Sequence, residues 1–185
     1  MLVGSRDFVF RARRARKQVG GGMRQVGVLA ACGLVALRDG PAGMIERLAE
    51  DHANARRLAV AIADMDGITS PGGIAQPTAG RFDPARVTTN FLLFGVARDR
   101  AEFLEALAAR GVCMVGYPHN QVRAVPHYGV DSADIDRTID AVAATLRDTR
   151  PRRAGSPDDI ATTTQASGLT SIGAEGDRPR VAIAH

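Results

Sequence analysis

One short stretch carries most of the chemistry legible in this chain. Arg16-Lys17-Gln18-Val19-Gly20-Gly21-Gly22-Met23-Arg24-Gln25 sets three consecutive glycines between cations. Glycines let the backbone turn N–H groups toward a ligand. A helix starting just after them would offer its positive end to an anion. Lys17 and Arg24 add full charges on either side, so a compact anion such as a phosphate suits this turn. The glycines lack the GxxxxGK[ST] spacing and do not form a P-loop. A Gly-rich helix–helix turn with solvated cations explains the same residues, and from the residues alone both readings stay open. Of the 24 lysines and arginines only Lys17 is a lysine, which hints that an ammonium is wanted beside the glycines.

The charge is equally local. Residues 1–25 hold Arg6, Arg11, Arg13, Arg14, Arg16, Lys17 and Arg24 against Asp7, a net +6, whereas the whole chain carries +4. Such a patch can meet nucleic acid or another polyanion, or one bound phosphate, or be the solvated face of a helix. Elsewhere the candidate groups are scattered. His119 and His127 flank Arg123, but no third ligand at a convincing spacing makes them a metal pair. His52 falls within a helical pattern and is expected on its surface or in a structural hydrogen bond. Cys32 and Cys113 belong to no CxxC or Cys/His cluster and are expected reduced and buried.

Hydrophobic spacing supplies the elements that would position these groups. Residues 6–18 read as a helix in which Phe8, Val9, Ala12 and Ala15 alternate with arginines, stopped by the glycines. A second helix is predicted from about Met23 to Arg38, apolar on nearly every face and therefore buried. Asp39-Gly40-Pro41 reads as a turn. A third helix runs to about Met65 on Ile45, Leu48, Ala55, Leu58, Ile62 and Met65. Residues 67–85 read as turns with a short strand, and 87–96 as a strand. Asp99 and Glu102 open a helix to Arg110. Short strands are expected at 112–115 and 121–126. Asp131 or Ser132 caps a last helix with the stripe Ile135, Ile139, Val142 and Leu146. The expected division is a helical segment over 1–65, a small α+β domain over 66–149, and a tail over 150–185 that lacks an apolar stripe and is expected to be disordered.

The chain's 185 residues suffice for one core. With 4% aromatic residues and no Trp, that core should consist of Ala, Val, Leu and Ile. The longest apolar run, 26–37, is too short to cross a bilayer. The N-terminus lacks the pattern of a secretion signal. These features point to a cytoplasmic protein with no membrane partner.

Taken together, Leu2-Val3-Gly4-Ser5-Arg6-Asp7-Phe8, the Arg-rich run into Arg16-Lys17, Gly20-Gly21-Gly22-Met23-Arg24-Gln25, and Glu50-Asp51-His52-Ala53-Asn54-Ala55 resemble the threonine aldolases of the β-eliminating lyase group. Thr89-Asn90, Val122-Arg123 and His127 extend the likeness, which covers about residues 2–148. The resemblance implies an α/β fold, namely the α+β C-terminal part of a pyridoxal-phosphate (PLP)-dependent aminotransferase-like fold. It implies PLP as cofactor and a small amino-acid substrate. It also implies a homo-oligomer for the full-length family.

Residue by residue, the likeness gives Lys17 and Arg24 to the cofactor phosphate, at a neighbouring subunit's site where the family shares it. Arg123 goes to the substrate carboxylate, a task for which a planar guanidinium offers two parallel N–H groups. Asn90 and His127 fall to support around Arg123. The lysine that holds the cofactor covalently matches a position upstream of Leu2, so no residue of this chain is assigned as catalytic, and the chain alone is expected to be inactive. The implied activity is cleavage of β-hydroxy-α-amino acids (threonine or allo-threonine) to glycine and an aldehyde. The alternatives are a non-catalytic, basic polyanion-binding protein, for which the glycines speak against nucleic acid, or another PLP-dependent β-eliminating lyase.

Overall fold

A computed structural model describes residues 2–72, 80–149 and 181–182. Two compact units appear, Met1–Arg47 and Leu48–His185. The division falls inside the third helix, because the second half of that helix belongs to the core of the second unit. The tail expected over 150–185 lies outside the described residues, apart from Val181 and Ala182.

In the first unit, α1 spans Arg6–Gln18, as its spacing predicts. Ser5 caps it by accepting from the Phe8 N–H at 3.2 Å, and Arg11 pairs with Asp7 one turn earlier. Helix α2, Val26–Leu37, begins three residues later than its apolar pattern predicts. The larger correction concerns burial. Neither helix has a buried residue, and Val28, Leu29, Leu34 and Val35 are all more than half exposed. The sequence places α2 in a core because every face is apolar. Among the described residues of this unit α1 offers no apolar layer to cover it, being studded with arginine. Cys32 is accordingly exposed rather than buried, and Cys113 is half-buried; both are free thiols.

The second unit is built on a four-stranded antiparallel sheet in the order β1 (Ile68–Thr69), β2 (Leu92–Val96), β5 (Gln121–Ala124), β4 (Val115–Tyr117). Helices α3 (Met44–Ile62), α4 (Arg100–Ala109) and α5 (Ser132–Asp148) share one core with it. A separate parallel pair joins β3 (Val112–Cys113) to β6 (Val181–Ala182). Among the described residues this makes a mixed α/β architecture with five α-helices.

Alternation along the strands sorts the side chains. Leu92, Phe94, Val96, Val122 and Ala124 enter the core with Leu58, Ile62, Phe103, Leu107, Ile135 and Val142. The core is therefore not purely aliphatic: Phe82, Phe94 and Phe103 are in it, and Phe82 meets Phe94 edge to face at 6.5 Å between centroids.

Local chemistry accounts for the element ends. Asp99 accepts from the Glu102 N–H at 3.0 Å to start α4. Asp131 and Asp134 form a reciprocal capping box at the start of α5, each side chain accepting from the other's N–H. The strand expected over 87–96 begins only at Leu92. Upstream, Pro84–Arg86 forms a 3₁₀ turn, and the Thr89 hydroxyl accepts from the Phe91 N–H at 3.2 Å. That local bond offers the backbone an alternative to the sheet ladder.

Candidate functional site

The glycine turn terminates α1 in a Schellman arrangement. Gly20 takes a left-handed conformation at φ 82°, its N–H donates to the Lys17 carbonyl at 3.2 Å, and the Gly21 N–H donates to the Arg16 carbonyl at 2.8 Å. This corrects the idea of a backbone cradle. Two of the three glycine N–H groups are spent on the end of the helix, and the adjoining end of the α1 dipole is negative. The positive end of α2 starts at Val26, next to Arg24. Side chains, rather than a nest of amides, are what this turn can offer an anion.

The glycines still matter for those side chains. A Cβ on Gly22 would lie 2.9 Å from Lys17 Nζ, and one on Gly21 would lie 2.8 Å from Arg16 Cγ. The Gly21 position is the tighter one, because it also meets the Arg16 backbone carbonyl oxygen at 3.0 Å. At Gly22 the neighbour is the free end of the exposed Lys17 side chain, which folds its ammonium back over the turn and could shift to make room. Lys17 and Arg24 are exposed there and carry full charges. An ammonium and a guanidinium are a fitting donor set for a phosphate monoester.

Arg123 lies on β5 in the second unit. Antiparallel register sets it directly opposite Leu93 on one side and Val115 on the other. It projects from the face opposite the core, in the row next to Gly95, Gln121 and Tyr117. It is half-buried among partly exposed apolar side chains, and its guanidinium carbon lies 5.8 Å from the centre of the Phe91 ring. A charge held against apolar surface feels a lower effective dielectric than one in open water. An arginine on a flat, half-dry sheet face can take a carboxylate through its fork.

The other candidates separate into supports and bystanders. Asn90 does not bond Arg123; its Nδ2 donates to the Pro126 carbonyl at 3.0 Å and so ties the start of β2 to the segment following β5. His127 is half-buried in that segment, with Nδ1 2.9 Å from the Tyr128 carbonyl oxygen. His119 and Asn120 are the two left-handed residues of the β4–β5 turn, at φ 60° and 56°. Asn120 is buried and donates to the Val96 carbonyl at 2.6 Å, which leaves His119 exposed at the tip. His52 is exposed on α3. Among the described residues no group of three or more His, Cys, Asp or Glu could hold a metal. Likewise, no helix is long and apolar enough to cross a membrane.

The Asp51-His52-Ala53-Asn54-Ala55 stretch is structural. Asp51 and Asn54 are buried, and Asn54 Nδ2 donates to the Val130 carbonyl at 3.0 Å. One turn on, Arg57 donates to the Ser132 carbonyl at 3.2 Å and pairs with Asp136 at 2.5 Å. Together these fasten α3 to the start of α5. Replacing Asn54 with alanine strips the Val130 carbonyl of this donor. It is expected to cost about 1–3 kcal/mol, read as a lower urea midpoint of the full chain. A midpoint within error of the parent would deny the clamp.

Sequence reasoning missed Asn54, Phe91 and Gln121 as contributors. Gln121 is buried and its Nε2 donates to the Gly72 carbonyl. Nothing in an unbroken apolar run such as Phe91-Leu92-Leu93-Phe94 tells which residue faces outward. For Asn54, the cue was present: an amide at a core-facing helical position needs a partner.

The beta-eliminating lyase family matches residues 1–78. The low-specificity L-threonine aldolase 1 of Arabidopsis thaliana is 32% identical over 143 residues, covering 75% of this chain and 36% of that protein. The low specificity L-threonine aldolase of Escherichia coli K12 is 40% identical over 131 residues, covering 70% of this chain and 33% of that protein. The chain thus spans about a third of the length of the curated relatives it matches. Over the matched residues it is a threonine-aldolase-like member of the β-eliminating lyase family.

Proposed function

We propose that this chain supplies residues to PLP-dependent aldolase chemistry that cleaves β-hydroxy-α-amino acids, threonine or allo-threonine among them, to glycine and an aldehyde. Lys17 and Arg24 bind the cofactor phosphate, and Arg123 binds the substrate carboxylate. When bound, the cofactor supplies the electron sink that carbon–carbon cleavage next to an amino group requires. The residues here position: two cations fix one end of the cofactor, and the fork of Arg123 fixes the substrate acid. The observation that carries the reading is the packing of the only lysine over Gly22, within the stretch matched by the family. That lysine is given to the phosphate, so the 185 residues by themselves should not turn over amino acid. The family frame makes a cytoplasmic homo-oligomer the natural setting, and the exposed apolar surface of α2 is the kind that assembly covers.

The test uses pyridoxine 5′-phosphate, which has the phosphate but no aldehyde to react with lysine, against pyridoxine. Calorimetry of the full chain is expected to show binding that depends on the phosphate. Lys17→Met and Arg24→Met should each weaken it roughly tenfold, the loss of one charge-assisted hydrogen bond. Equal binding of the two ligands would overturn the phosphate assignment. Turnover of L-threonine or L-allo-threonine by the purified chain with PLP would overturn the positioning-only role. The exposed arginines of α1 favour a second reading, polyanion binding. It would be recognised by an affinity for single-stranded nucleic acid that falls steeply with salt.

A further inference from the structure

We infer that Phe91 is a positioning residue for Arg123: its ring forms a platform that holds the guanidinium across the outer face of the sheet, with the fork presented to a carboxylate. The inference rests on the reading of Arg123 as the carboxylate group and adds to it a second side chain. Arg123 Cζ lies 5.8 Å from the Phe91 ring centre, inside the ~6 Å over which a cation is drawn to an aromatic face. The partners of Arg123 across the ladder, Leu93 and Val115, are aliphatic and can pack against its stem but cannot orient its plane. An aromatic face can, because guanidinium stacks on it.

The backbone that carries the ring is held. The Phe91 N–H donates to the Thr89 hydroxyl at 3.2 Å, and Asn90 Nδ2 donates to the Pro126 carbonyl at 3.0 Å. Thr89 and Asn90 therefore clamp the residues on both sides of the Phe91 amide, one locally and one across to the segment after β5. Phe91 is 44% exposed. An apolar side chain that large, left that open between two backbone clamps, serves no core. Its ring lies under the guanidinium. The same arrangement explains why Asn90 stands near a carboxylate arginine without bonding it: it holds the platform, and the platform holds Arg123.

The experiment is nuclear magnetic resonance on the full chain, ¹⁵N-labelled, following the Arg123 Nε–H and Hδ signals with and without acetate, in the parent, Phe91→Leu and Phe91→Tyr. In the parent, the Arg123 signals should be displaced by the ring current, and acetate should move them further. Phe91→Leu should return them to ordinary arginine positions and weaken acetate about two- to fivefold, the range of an exposed cation–π contact. Phe91→Tyr, which keeps the face, should retain both. The melting transition should be unchanged in all three, which separates positioning from folding.

Identical Arg123 signals in the parent and Phe91→Leu would overturn the platform. So would a displaced signal with unaltered acetate affinity, and in either case Arg123 still binds carboxylate. If acetate leaves the parent's Arg123 signals unmoved, the carboxylate reading itself fails, and the positioning role falls with it.

Discussion

Replacing Arg123 with alanine is expected to cost the chain roughly a hundredfold in affinity for a simple amino acid such as glycine, because two charge-assisted hydrogen bonds are lost together. Arg123→Lys should recover little of this. A lysine keeps the charge but not the fork, and its ammonium prefers water to a half-buried sheet face lined by Leu93 and Val115. The sheet register argues that the loss would be functional rather than structural. Arg123 projects away from the core, while its neighbours Val122 and Ala124 are fully buried. The melting transition should therefore shift little while binding collapses. Titration of glycine into the labelled chain measures this directly. An Arg123→Ala chain that binds glycine like the parent would remove Arg123 from the site.

What could be read in advance, and what could not, follows from the range of the forces involved. Two helix starts were legible because they depend on residues three or four apart: Asp99 and Asp131 cap α4 and α5 where the sequence places a cap. The stripe of α5 was legible for the same reason. Helix α2 misleads, because an all-apolar stretch states only that it needs cover, not that the chain at hand provides it.

The glycine turn misleads more subtly. Three glycines before a helix suggest amides aimed at a ligand, but the same glycines also end the preceding helix, and the Schellman bonds to Arg16 and Lys17 use their N–H groups first. Arg123 shows the opposite case. Composition and spacing leave it a surface arginine; family likeness gives it a role; and only the register across β2 and β4 supplies the half-dry, apolar surroundings that make that role physical. Phe91 could not have been found at all before the strand's starting residue was known, since a strand beginning at Val87 gives no reason for a turn at Thr89.

The coupling between that register and the core makes the second large expectation one of stability. Phe94 is fully buried at the centre of β2, faces Val122 across the ladder, and meets the edge of Phe82. Truncation to alanine should cost about 3–5 kcal/mol through lost burial and the cavity left behind. Against the ~5–15 kcal/mol of a typical domain, that removes much of the stability of the Leu48–His185 unit. Phe94→Leu, which fills most of the volume, should cost far less, about 1.5 kcal/mol or under.

Because the chain has two units, the transition should be followed by a probe inside the second one, the Arg123 signals, rather than by total helicity. In urea, Phe94→Ala should lose the displaced Arg123 signals and glycine binding at a single, lower midpoint, since Arg123 and Phe94 stand on paired strands one register step apart. If Phe94→Ala keeps the parent's midpoint, the core is not where Phe94 lies. If the midpoint falls but the Arg123 signals persist beyond it, the binding face does not depend on that core, and the sheet would be holding its arginine by local clamps alone.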